Sequence, residues 1–76
     1  MIETLDDVSP GQQFRIAGVD DSGLRARLLR LGFMDGPVTV RNRLRRGPVV
    51  VSRNGTDLAL GASVAERIEV DEVREA

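Results

Sequence analysis

Turn-forming residues cut this chain into short pieces, and that spacing limits its fold more than any other feature. Pro10-Gly11, Gly32, Asp35-Gly36-Pro37, Arg46-Gly47-Pro48 and Asn54-Gly55 each combine a preset or positive backbone dihedral with a place for the chain to reverse. Several of the pieces between them alternate polar and apolar residues. Phe14 and Ile16 stand inward in Gln13-Phe14-Arg15-Ile16-Ala17, and Val38 and Val40 do so in the run from Val38 to Leu44, with its arginines facing out. Val49 to Arg53 and Thr56 to Leu60 flank Asn54-Gly55, a strong two-residue hairpin signal. Ile68-Glu69-Val70 reads as a fifth strand, after a helical turn from Ala62 to Arg67.

One piece departs from period two. Leu24, Leu28 and Leu31 recur at i, i+4 and i+7, which places them on one helical face with Arg25, Arg27 and Arg30 around it. Asp20-Asp21-Ser22 offers N-cap oxygens at the start of this helix, and Gly32 suits a left-handed C-terminal cap that lets Phe33 pack back on Leu28. Five strands and one helix make a mainly β, antiparallel sheet that curls on itself to cover its apolar face. With 76 residues, 41% of them apolar, the chain supports one core and one domain spanning 1–76, with 72–76 a frayed tail. It shows no internal repeat and no low-complexity segment.

Composition removes most chemistry. Without cysteine or histidine there is no disulfide, no thiolate or imidazole metal ligand, and neither of the commonest nucleophile and base side chains. Ser9, Ser22, Ser52 and Ser63 have no histidine, lysine or tyrosine to activate them and suit turns and caps, so the expectation is a protein that is not an enzyme and holds no metal or cofactor. The acidic start, Met1 to Asp7, and apolar runs of only three residues point to a cytoplasmic chain with no direct membrane insertion. Without tryptophan or tyrosine, neither proline-rich peptides nor stacked bases have a platform.

The net charge of −1 conceals three blocks. Residues 1–24 set five carboxylates against Arg15, residues 25–53 set eight arginines against Asp35, and residues 54–76 set six carboxylates against Arg67 and Arg74. Arg41, Arg43, Arg45 and Arg46 alternate along one strand and its turn as a positive stripe, the alternative electrostatic surface for a nucleic-acid backbone. The pI of about 5.3 opposes tight nucleic-acid binding.

Read in order, Arg27-Leu28-Leu29-Arg30-Leu31-Gly32-Phe33, then Gly36 and Val38-Thr39-Val40, then Leu58-Ala59-Leu60-Gly61 with Ala65 and Ile68-Glu69-Val70, resemble the FeoA family, ferrous iron transport protein A. Leu5, Pro10-Gly11 and the strand from Phe14 to Ile16 extend the likeness over nearly the whole chain. Pro37 follows Gly36 here, whereas the family often places proline before that glycine. The resemblance implies a five-stranded antiparallel SH3-like barrel with one short helix after the first strand. It also implies a small cytoplasmic accessory protein that binds or regulates the membrane GTPase transporter of a bacterial ferrous iron system. The alternatives are a nucleic-acid-binding SH3-like barrel and an accessory domain of a metal-dependent transcription regulator, the latter opposed by the lack of a helix-turn-helix segment. Self-association is compatible with either.

The helix suggests where a partner docks. Relative to Leu24, Leu29 lies about 140 degrees around the helix, off the core face. Met34 follows the cap and is expected to point outward, because Phe33 takes the packing position. Leu29 and Met34, rimmed by Arg25 and Arg30, are the candidate partner-binding residues.

Overall fold

The computed structural model describes residues 3–45 and 47–73. In chain order the elements are β1 (Glu3–Thr4), a 3-10 turn (Leu5–Asp7), β2 (Gln13–Val19), α1 (Ser22–Arg30), β3 (Val38–Arg43), β4 (Val49–Arg53), β5 (Thr56–Leu60), α2 (Ala62–Ala65) and β6 (Ile68–Glu72). All strands join one antiparallel sheet in the order β1-β6-β2-β3-β4-β5.

The sheet has six strands where five are expected, and it does not close into a barrel. The additional strand is two residues long, too short to show a period, and exists because Glu3 and Thr4 pair with Val70 and Glu69. As edge strands, β1 and β5 do not meet. The apolar face is covered by side chains from outside the sheet instead: Leu5 of the 3-10 turn, Val8, Leu28 of α1, Phe33 and Ala65 of α2 pack on Phe14, Val38, Val40, Val49, Val51, Ile68 and Val70. The result is a small, roughly SH3-like β fold with an open sheet. Burial of each large apolar side chain contributes about 1.5 to 3 kcal/mol before entropy is counted.

Local signals explain most of the turns. Asn54 and Gly55 both take positive φ, 50° and 83°, as the tight β4–β5 hairpin requires. After α1, Gly32 (φ 80°) lets its N–H donate to the Leu29 carbonyl and the Phe33 N–H donate to the Leu28 carbonyl, at 3.1 and 3.0 Å. This paired cap seats Phe33 in the core with no exposure. It also corrects the expectation for Leu31. As the C-cap residue rather than part of the helical face, Leu31 is turned out and 40% exposed, while Leu28 is wholly buried and Leu24 half-buried.

Two bulges bend the sheet. Ala17 is the unpaired residue of β2 between Ile16↔Val70 and Gly18↔Glu69, and Arg41 is the unpaired residue of β3 between Val40↔Val51 and Asn42↔Val50. The expected tail from residue 72 also needs correction: Glu72 ends β6 opposite Phe14, and the Val73 N–H donates to the Gln13 carbonyl at 3.1 Å. The rest of that tail, 74–76, lies outside the described residues. Among the described residues, no helix is long and apolar enough to cross a membrane.

Candidate interaction surface

Helix α1 starts at Asp21, whose side chain accepts a hydrogen bond from the Leu24 N–H at 3.0 Å. That bond lowers the carboxyl pKa below the ordinary aspartate value; partial burial opposes it, and the Gly23 N–H and Arg67 assist it. Arg67, just beyond α2, reaches Asp20 at 3.3 Å and Asp21 at 3.8 Å. The helix N-terminus is thus tied to the segment that leads into β6.

The C-terminal end of α1 is held differently. Arg53, the last residue of β4, donates from Nε to the Gly32 carbonyl and from Nη1 to the Pro37 carbonyl, both at 2.9 Å. Its guanidinium lies over Gly36, where an added Cβ would come within 2.8 Å of both terminal nitrogens. One side chain therefore spans both ends of the loop from 32 to 37 and sets how that loop carries α1 into β3. Charged donors on carbonyls make strong hydrogen bonds.

Between these anchors, α1 presents Leu29 at 46% exposure and, on its other flank at the C-cap, Leu31. Arg25, Arg27 and Arg30 are exposed and make no hydrogen bond or ion pair with any described residue. Arg25 and Leu29 are i, i+4 neighbours, as are Arg27 and Leu31, so each leucine lies beside an arginine. Of the four residues expected to form the docking patch, Leu29, Arg25 and Arg30 are exposed on α1. Met34 is half-buried and packs against the core, because the Arg53-held loop folds it inward. Leu31, expected on the core face, is exposed instead, at the C-cap next to Gly32.

The arginine stripe is not continuous. The bulge at Arg41 shifts the alternation, so Arg43 pairs with the buried Val49 and shares its face of the sheet. There its Nη2 donates to the Leu5 and Val8 carbonyls at 2.8 and 2.6 Å, and its Nη1 meets Asp6 at 3.2 Å. Arg43 thereby fastens the 3-10 turn over the core instead of facing outward as expected. Arg41 and Arg45 are exposed, and Arg46 lies outside the described residues. No group of three or more carboxylates converges into a metal-sized cluster among the described residues.

Comparison with curated proteins returns no match. Among solved structures, the chain aligns with the crystal structure of an iron uptake regulatory protein, FeoA, at 24% identity and a TM-score of 0.76, covering 96% of this chain and 99% of that one. It also aligns with the NMR structure of a FeoA-like protein from Clostridium acetobutylicum at 20% identity and a TM-score of 0.75, covering 99% of this chain and 91% of that one. At those identities the likeness establishes a shared fold. The FeoA domain model matches residues 3–72, nearly the full length, and the chain therefore belongs to the FeoA family.

Proposed function

We propose that this protein is a cytoplasmic accessory subunit of a bacterial ferrous iron transport system that binds or regulates the membrane GTPase transporter through the exposed side of α1. Family membership implies involvement in ferrous iron transport. One of its structural relatives is described as an iron uptake regulatory protein, which agrees with a regulatory role. The observation that carries the choice of surface is that α1 exposes Leu29 and Leu31, each with an arginine one turn before it, and that Arg25, Arg27 and Arg30 meet no partner among the described residues. Exposed apolar side chains interleaved with arginines are a common feature of protein interfaces. The Arg53 hydrogen bonds to the 32–37 loop fix the C-terminal end of α1, which lowers the ordering cost of association.

The test is binding of the purified transporter to a Leu29→Ser/Leu31→Ser variant. Both side chains are exposed, so circular dichroism should show an intact fold, while affinity drops by about tenfold or more, the equivalent of about 1.4 kcal/mol. A folded variant that binds with unchanged affinity excludes this surface.

A further inference from the structure

We propose a second site, apart from the α1 surface, that binds a phosphate-type oxyanion on the outer face of the sheet. Cross-strand pairing aligns Gln13, Thr39 and Ser52 in one row, since Gln13 pairs with Thr39 and Thr39 with Ser52, and each neighbours a buried core residue on its own strand. Together with Arg41, Arg53 and Asn54 they line a cleft of about 320 Å³.

The chemistry of the lining selects the ligand. No carboxylate residue lines the cleft, while two arginines, two hydroxyl and two carboxamide residues do, with Pro37 among them. Asp57 pairs with Ser52 on the adjoining strand but lies outside the lining. The side chains of Arg41, Ser52 and Asn54 make no hydrogen bond with any described residue. Gln13 Nε2 donates to Thr39 Oγ1 at 3.4 Å, which occupies that oxygen as an acceptor and leaves its O–H to donate elsewhere. Arg53 uses Nε and Nη1 on carbonyls, and its Nη2 makes no hydrogen bond with any described residue. Hydrogen-bond donors and positive charge thus converge on one opening, the arrangement that suits a compact dianion with several acceptor oxygens. The polar lining suits neither an acyl chain nor a nucleobase, which would require apolar or aromatic walls.

The bulge at Arg41 belongs to the design of the site. It bends β3 where Arg41 enters the lining and turns Arg43 to the opposite face. Neighbouring arginines of the same strand therefore serve different ends, one holding the core and one facing the cleft.

Amide chemical shifts of the full-length protein, followed while inorganic phosphate is added at ionic strength held constant with sodium chloride, test the site. Saturable shifts confined to the amides of Thr39, Arg41, Ser52 and Asn54 are expected. Arg41→Gln, an exposed position outside the core, should weaken binding about tenfold, the loss of one charge-assisted contact. Ser52→Ala should weaken it less. Running glycerol 3-phosphate in parallel distinguishes a free phosphate from an esterified one, and saturation by either supports the site. Shifts that sodium chloride alone reproduces, or undiminished affinity in a folded Arg41→Gln variant, would overturn it.

Discussion

The arginines of α1 and two arginines of the sheet, Arg43 and Arg53, belong to one basic stretch of sequence, yet their environments are opposite. Arg43 and Arg53 end on backbone carbonyls, Leu5 and Val8 for one and Gly32 and Pro37 for the other. Arg25, Arg27 and Arg30 end in solvent. A guanidinium with five donors in a fixed fork can close two turns of chain at once, as an exposed pair of charges cannot. The difference shows that charge density along a sequence does not locate an interface; the distinction lies between arginines whose donors are already occupied and arginines whose donors are not.

That contrast can be broken most severely at Arg43. Arg43→Ala removes two charge-assisted bonds and the contact with Asp6, and takes the guanidinium away from the Leu5 and Val8 carbonyls of the segment that covers the core. It should cost about 3 kcal/mol in urea unfolding. A loss below about 0.5 kcal/mol, the range of an ordinary surface substitution, would place Arg43 with the α1 arginines and refute the division.

Arg53 sharpens it. Arg53→Ala should cost about 2 kcal/mol, and Gly36→Ala should cost a similar amount by pushing the guanidinium off its carbonyls, since the new methyl group would occupy its place. The two changes act on one contact, so the double variant should be little worse than either single one. Additive losses in the double-mutant cycle would show that Gly36 matters for some reason other than the clamp.

A smaller effect is expected at the helix N-terminus. Asp21 has a folded-state pKa below its unfolded value, so its contribution is fully present above the unfolded pKa and disappears as pH falls through the folded one. Asp21→Asn keeps a capping oxygen without a titrating group, and the acid limb of stability against pH should become shallower. An unchanged slope would mean that the Leu24 bond does not favour the charged carboxylate.

How far the sequence reveals these features depends on range. The Asn54-Gly55 hairpin and the Gly32-Phe33 cap were legible because each is decided by residues within a few positions. The alternation of Val38 and Val40 was legible too, but only as far as the bulge at Arg41, after which Arg43 changes face. Bulges have no strong composition of their own, so the shift becomes visible only once β4 supplies the register. Strand β1 and the Arg53 clamp were hidden for a related reason: Glu3 finds Val70 and Arg53 finds Gly32 through the assembled sheet. Helical geometry alone shows that Leu29, Arg25 and Arg30 are exposed, whereas it does not reveal that Met34, beyond the helix, packs against the core.

The claim that solvent-facing α1 is the working surface is tested most directly by reversing its charge. Arg25→Glu, Arg27→Glu and Arg30→Glu together should leave the fold intact, because none of the three side chains is engaged by a described residue. The single measurement is the affinity of this folded triple variant for the purified transporter. A fall of about tenfold or more is predicted, as repulsion replaces attraction beside the exposed leucines. Affinity equal to that of the unaltered protein would contradict the account.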